Sequence, residues 1–119
     1  IDWFLSNKKK SSINGFSNHL WNGVTTRYFA NILYVLVVSK LIIPNLIHIV
    51  PKNKVTKYEL LKLLSKKYKR NDLIILKART KYRVDRSLST IHKKYLLKLN
   101  KFMGYKETPS ISEIIKNFL

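Results

Sequence analysis

One stretch of the chain, residues 55–82, reads VTKYELLKLLSKKYKRNDLIILKARTKY and contains a helix followed by a strand. Thr56 and Glu59 have the spacing of a capping box, in which a hydroxyl and a carboxylate satisfy free amides at a helix start. The pattern predicts a helix over about residues 57–70, with leucines on one face and lysines on the others. A polar turn follows, and the branched apolar run Leu73–Leu76 predicts a buried strand.

The composition is that of a small, strongly basic folded domain. The chain has 119 residues, 45% of them hydrophobic, with 24 basic and 6 acidic residues and a net charge of +18. So large a charge destabilises a compact protein unless a polyanion neutralises it, and nucleic acid is the commonest polyanion. Cysteine is absent, which excludes disulfides and thiolate metal sites. Lys, Asn, Ile, Phe and Tyr are abundant relative to Gly, Ala, Arg and Pro, a bias typical of AT-rich genomes such as those of organelles.

Three regions are predicted along the chain. Residues 1–26 contain three consecutive lysines and several aromatic side chains, and we interpret them as a basic arm held against a surface. Residues 27–103 form the predicted α+β domain. Residues 104–119 form a linker and a C-terminal helix. The first residue is not Met, and nothing in the first region has the pattern of a transit peptide.

The most apolar segment, residues 28–50, has two interpretations. It is long enough to cross a bilayer as a helix, since the hydrocarbon core is about 30 Å thick. Lys40 and Pro44 lie inside it, however, and both are unfavourable at membrane depth. We therefore expect two strands, Ile32–Val38 and Leu41–Val50, and no membrane association.

The last third of the chain predicts a short strand and two helices. Residues 87–92 are a possible returning strand, and residues 91–102 carry apolar side chains at helical spacing, although an amphipathic strand is an alternative there. Gly104 stands where helices commonly stop. Ser110 and Glu113 form a second capping box, which predicts a helix over residues 111–118.

The predicted order is strand, strand, helix, strand, strand, helix, helix. This order is typical of an α+β fold: a small sheet with a split βαβ unit, the crossover helix at about 57–70, a basic N-terminal arm and short C-terminal helices.

Several short motifs resemble a ribosomal protein family. They are Val50-Pro51-Lys52, Thr56-Lys57-Tyr58-Glu59-Leu60, Arg79-Thr80-Lys81-Tyr82, Arg86-Ser87 and, more weakly, Arg27-Tyr28-Phe29 with Asn31. Together, over about residues 27–92, they resemble small-subunit ribosomal protein twenty-four of the eukaryotic and archaeal series. The strand and helix order is also similar to large-subunit ribosomal protein twenty-three. The glycine-rich loop of the first family is replaced here by Arg83-Val84-Asp85, and neither terminus follows that family. The resemblance implies a small α/β domain that binds ribosomal RNA and performs no catalysis.

The basic residues suggest the same partner, because few acidic residues are available to pair with them. Tyr82, between two basic residues, is a candidate for stacking on an RNA base. The predicted RNA-binding residues are Lys8, Lys9, Lys10, Arg27, Lys52, Lys54, Lys66, Lys67, Lys69, Arg70, Lys81, Tyr82, Arg83 and Arg86.

No catalytic motif is found. Glycine-rich phosphate loops, nucleophile elbows and histidine pairs at metal spacing are all absent, so we expect neither an enzyme, nor a metal or cofactor, nor a small-molecule substrate. The predicted function is a structural constituent of a ribosome, located in the mitochondrial matrix and bound to ribosomal RNA and neighbouring ribosomal proteins. The alternatives are a small basic subunit of an organellar membrane complex, anchored by residues 28–50, and a DNA-binding regulator.

Overall fold

A computed structural model describes residues 1–119 and shows a small α+β protein with five helices and two small sheets. The helices are α1 (Asp2–Ser6), α2 (Thr26–Ser39), α3 (Lys57–Lys67), α4 (Lys93–Phe102) and α5 (Ile111–Phe118). The strands are β1 (Ser12–Phe16), β2 (His19–Trp21), β3 (Val55–Thr56), β4 (Ile74–Ala78) and β5 (Val84–Arg86). The chain divides into two compact units, the first made of residues 1–21 and 55–86 and the second of residues 22–54 and 87–119.

All five strands belong to the first unit. β1 and β4 form a two-stranded parallel sheet, in register from Ser12 opposite Ile74 to Phe16 opposite Ala78. In the second sheet β2 is central, antiparallel to β3 and parallel to β5. Arg70 connects the end of α1 to the turn after α3, since its guanidinium donates to the Leu5 and Asn7 carbonyls and pairs with Asp72.

Helix α3 confirms the prediction made from the capping box. Thr56 accepts from the Glu59 amide at 3.2 Å, and the Glu59 carboxylate accepts from the Thr56 amide at 2.7 Å. The helix begins at Lys57 as predicted, ends at Lys67, and buries Leu61 and Leu64 against the strands. The strand after it is present, but Ile74 and Leu76 are about half exposed, because alternate side chains point to opposite faces and these two lie on the face opposite the buried Leu73. The expected full burial of this strand is therefore wrong.

The second unit is helical, and its core is formed by apolar side chains from α2, α4 and α5. Its buried members are Tyr28, Ile32, Val35, Leu99 and Ile114. Tyr28 and Asn100 are fully buried within this core, and the Tyr28 hydroxyl donates to Asn100 Oδ1 at 2.7 Å. Burial raises the pKa of Tyr28 to about 12.

The two strands predicted within residues 28–50 are wrong. Residues 26–39 form α2, whose start is capped by Thr25, and residues 41–50 have no regular structure. Tyr28, Ile32 and Val35 lie on one side of that helix and fill the core, and this packing outweighs the strand preference of the valine-rich run. None of the five helices combines the length and the apolar character that a membrane span requires.

The N-terminal region is not an extended arm. It contains α1, β1 and β2, and it buries Phe4 and Ile13. The returning strand expected at residues 87–92 lies earlier, at β5. The two C-terminal helices are confirmed: α4 ends just before Gly104, which has φ +85°, and α5 begins with the predicted capping box of Ser110 and Glu113. Glu113 accepts from the Ser110 amide and hydroxyl, and these bonds lower the pKa of its carboxyl group.

Candidate functional site

A cavity with a volume of about 730 Å³ lies wholly within the second unit. This volume falls within the range of about 300–1,000 Å³ typical of small-molecule sites. Its apolar lining comes from Val50, Pro51, Leu88, Leu96 and Leu97. Its polar and charged lining comes from Asn22, Lys52, Asn53, Lys54, Ser87, Ser89, Thr90, Lys93, Glu107 and Thr108. The cavity thus combines an apolar surface with a ring of polar groups.

Asn22 holds one wall of the cavity in place. Its side chain is buried, its Nδ2 donates to the Leu88 carbonyl at 2.7 Å, and its Oδ1 accepts from the Leu88 amide at 2.8 Å. The two hydrogen bonds to the Leu88 backbone resemble those between paired strands. They hold Leu88 in place although residues 87–90 form neither helix nor strand. His48 Nδ1 lies 2.8 Å from the Ser89 carbonyl, and it must carry the proton because a carbonyl oxygen can only accept.

The opposite wall, residues 50–54, is held by the C-terminal segment. The Lys52 amide donates to the Pro109 carbonyl at 2.9 Å, and the Ile111 amide donates to Asn53 Oδ1 at 2.9 Å. Lys52 Nζ also lies 2.6 Å from the Glu107 carboxylate. Both side chains of that ion pair are more than half exposed, so it stabilises the fold by less than about 1 kcal/mol.

The electrostatics of the cavity favour anions. Three lysines and a single carboxylate, that of Glu107, line it. Lys93 is exposed, and it is the first residue of α4, where the N-cap residue His92 makes no side-chain capping bond. The partial positive charge of a helix start therefore adds to the lysine charges at this edge. The arrangement is suited to binding an anionic group beside an apolar one.

Of the predicted RNA-binding residues, Lys52 and Lys54 line this cavity, and the others lie elsewhere. Lys66 and Lys67 are in the last turn of α3, with Lys69 and Arg70 just beyond it. Arg70 has a structural role: its ion pair with Asp72 raises the arginine pKa and lowers the aspartate pKa. Lys8, Lys9 and Lys10 are exposed before β1, and Arg27 is in the first turn of α2.

The basic loop before β5 is exposed, and two of its basic side chains contact residues close to them in the sequence. The Lys81 ammonium lies 5.4 Å from the centre of the Tyr82 ring, and Arg83 lies 3.5 Å from the Asp85 carboxylate. Arg86 lines a separate cavity of about 130 Å³ in the first unit, together with His19 and Trp21. The loop therefore does not contribute to the larger cavity.

Sequence reasoning missed Asn22, Lys93 and Glu107. Lys93 could have been found from the sequence, because it falls in the first turn of a predicted helix and follows a segment, residues 87–90, with three hydroxyl side chains. Asn22 could not have been found from the local sequence, since its partner Leu88 is 66 positions away. No group of three His, Asp or Glu side chains is placed to hold a metal ion.

Comparison with known proteins identifies the fold through solved structures. No family model and no curated protein matches the sequence. The chain is similar to a dTDP-4-dehydrorhamnose reductase from Clostridium acetobutylicum, with a TM-score of 0.61, 14% identity and 90% of the chain covered. It is similar to that reductase from Yersinia enterocolitica, with a TM-score of 0.59, 10% identity and 90% covered. It is also similar to the Bacillus anthracis reductase solved with NADP, with a TM-score of 0.60, 16% identity and 98% covered. The chain spans 37% to 39% of the length of these reductases.

These neighbours contradict the ribosomal interpretation. All three are reductases, and none is a ribosomal protein. The resemblance to the ribosomal families is wrong, and so are the expectations of a non-enzymatic protein, of ribosomal RNA and ribosomal proteins as partners, and of no small-molecule substrate. The motifs behind that resemblance were short, and a basic α-turn-β segment fits more than one fold. The mitochondrial location is untested and stays a prediction.

Proposed function

We propose that this chain is the substrate-binding part of a reductase that acts on a nucleotide-linked sugar. The observation that carries the proposal is the cavity of about 730 Å³ lined by three lysines beside an apolar wall. The fold neighbours support it, because their names specify a sugar attached to a nucleoside diphosphate.

The cavity chemistry suits both halves of such a ligand. Lysine ammonium groups and the uncapped start of α4 are suited to the diphosphate, since phosphate oxygens accept charge-assisted hydrogen bonds from both. The leucines of α4 offer an apolar surface for a base or a sugar face. In this proposal Lys52 and Lys54 keep a binding role, with a small phosphorylated ligand as their partner.

The cofactor named with the Bacillus anthracis structure does not fit the residues of this chain. Dinucleotide sites use a glycine-rich turn between a strand and a helix, so that the backbone approaches the pyrophosphate closely. No strand-to-helix connection of this chain is glycine-rich: residues 22–25 before α2 contain one glycine, and the connections before α3 and α4 contain none. At the Thr56-Lys57 connection, the Glu59 carboxylate also accepts from the free amide of the cap. A second anion at this connection is disfavoured. We therefore assign no step of NADP chemistry to this chain.

The same proposal includes the finer topology suggested by the sequence. We propose that α3 is the crossover helix between parallel strands, since it packs on both β1 and β4. In this role α3 contributes to folding and takes no part in ligand binding, because it contributes no residue to the larger cavity.

The test is a calorimetric titration of the purified chain with thymidine diphosphate. Lys93→Ala should weaken binding about three- to tenfold, equivalent to about 0.7–1.4 kcal/mol for one charge-assisted contact. Lys101→Ala is the matched control, because Lys101 is exposed on the same helix, does not line the cavity, and its loss changes the net charge equally. Its affinity should stay within about twofold of that of the unaltered chain.

Equal weakening by both substitutions would show that the diphosphate responds to net charge alone and would contradict the proposal. Absence of saturable binding at millimolar thymidine diphosphate would contradict it as well. Thymidine, which lacks the phosphates, should bind far more weakly than the diphosphate.

A further inference from the structure

The outer face of α2 is apolar and exposed. Ala30, Leu33, Tyr34, Val37 and Val38 form this face, and all five are exposed, Val37 at 75% and Tyr34 at 66%. The inner face of the same helix is apolar and buried, with Tyr28, Ile32 and Val35 in the core of the second unit. From Ile32 to Val38, α2 is thus apolar on both its buried and its exposed side.

A helix with apolar residues on all sides is typical of the interior of a larger protein, since a surface helix normally turns a polar face to water. The exposed apolar surface also continues past the helix end, where Ile42 is 88% exposed and Leu46 is 72% exposed. Contiguous apolar patches of this kind mark interaction sites on folded proteins. The outer face of α2 is therefore expected to be covered by another protein layer.

We propose that the outer face of α2 is a docking surface for the part of the reductase fold that lies outside these 119 residues. The solved reductases are more than twice as long as this chain, which corresponds to 37% to 39% of each. The match with the Bacillus anthracis reductase includes 98% of this chain, so nearly all of it belongs to that larger fold. The remainder of that fold is the occupant of this surface, whether it lies on the same polypeptide or on another.

Charge argues against a second copy of this chain as the occupant. Arg27 lies in the first turn of α2 and Lys40 at its C-cap, so an antiparallel two-fold pairing would bring these two cations together at each end. Each copy also carries a net charge of +18, which opposes self-association. The proposal rests on the fold and on α2. It therefore stands or fails independently of ligand binding in the cavity.

Site-specific photo-crosslinking in the source cells tests the proposal. The photoreactive residue is introduced as Tyr34→p-benzoylphenylalanine, with Tyr82→p-benzoylphenylalanine as the matched control, because Tyr82 is also an exposed tyrosine, at 71%. Peptides crosslinked to position 34 should come from a polypeptide segment that matches the part of the reductases outside their alignment with this chain. Their yield should exceed that from position 82 at least about fivefold.

A second substitution separates docking from folding. Val37→Lys should leave the circular dichroism spectrum unchanged, because Val37 is 75% exposed, and it should reduce the crosslink from position 34 at least about fivefold, because it places a charge in an apolar contact. If Val37→Lys alters the spectrum, Val37→Ser serves in its place. Crosslinks from position 34 to a second copy, to lipid, to an unrelated protein, or at no higher yield than from position 82 would overturn the proposal.

Discussion

The buried pair of Tyr28 and Asn100 allows a quantitative test of how the second unit is held together. Both side chains are fully buried, the Tyr28 hydroxyl donates to Asn100 Oδ1 at 2.7 Å, and Asn100 Nδ2 donates to the Leu96 carbonyl at 2.8 Å. Tyr28→Phe removes one oxygen and leaves the ring in its edge contact with Phe118. The substitution therefore creates little cavity and leaves Asn100 Oδ1 without its partner. We expect a loss of about 1–3 kcal/mol in the free energy of unfolding.

The reciprocal change, Asn100→Leu, keeps the branched shape and the number of heavy atoms of the side chain and leaves the Tyr28 hydroxyl unpaired. It should also cost about 1–3 kcal/mol. The double variant has neither the Tyr28 hydroxyl nor the Asn100 side-chain oxygen, so it buries no unpaired polar group from this pair. Its loss in the free energy of unfolding should therefore be smaller than the sum of the two single losses by about 1–2 kcal/mol.

Urea unfolding followed by far-ultraviolet circular dichroism measures all four proteins. With a slope of about 2 kcal/mol per molar urea, each single substitution should lower the midpoint by about 1 M. Both tryptophans lie in the first unit, so tryptophan fluorescence is a less direct measure of this change. Strictly additive losses in the double variant would refute the argument that the two side chains stabilise each other.

Three further predictions concern a close approach, a helix cap and an ionisation. Gly15→Ala would place its Cβ 2.8 Å from the Cα of Tyr58, and it should lower the free energy of unfolding in urea by about 1–3 kcal/mol. The loss should exceed that of Gly104→Ala, whose Cβ meets no atom and which incurs only the strain of φ +85°. Equal losses would argue against the tight contact at Gly15. Thr56→Ala should cost about 1 kcal/mol in the same measurement, and no loss would show that the Glu59 carboxylate alone caps α3. The pKa of Tyr28 is raised from 10.0 to about 12, so the neutral hydroxyl is favoured in the folded state and its stabilisation is complete below pH 10. That stabilisation should be lost as the pH rises from about 10 to 12, and Tyr28→Phe should lack this component of the pH dependence.

Local signals predicted the helices α3 and α5 well. In each, a hydroxyl at the cap and a glutamate three residues later satisfy backbone amides within one turn, so the information lies in adjacent residues. Helix α4 was predicted from the spacing of its apolar residues, since one of its faces is buried and the other is polar.

Helix α2 was mistaken for a strand because its sequence has no polar face. Periodicity identifies a helix only when one side differs from the other, and the run Ile32–Val38 is apolar throughout. Strands β1 and β2 were missed for a different reason. β1 pairs with β4, about 60 residues further along, so its partner could not be recognised from nearby residues.

The candidate site was predictable in part. Lys52 and Lys54 were predicted to bind an anion because of their charge, and both line the cavity, whereas the cavity itself depends on contacts such as that of Asn22 with Leu88. Such contacts join positions far apart in the chain, and no local sequence pattern indicates them. The expectation of ribosomal RNA as the partner is contradicted by the fold neighbours. It was drawn from positive charge, which indicates an anion without indicating its size.

The interleaved connection of the two units limits how the protein can be divided experimentally. The chain passes from one unit to the other at residues 21–22, 54–55 and 86–87, so neither unit is a continuous segment. A truncation at residue 54 separates β2 from both of its neighbours and α2 from α4 and α5. That cut therefore leaves both hydrophobic cores incomplete, whereas a cut after residue 21 or 86 keeps one unit whole but attached to a piece of the other. Isolating either half requires a redesigned gene in which its two segments are joined by a new linker.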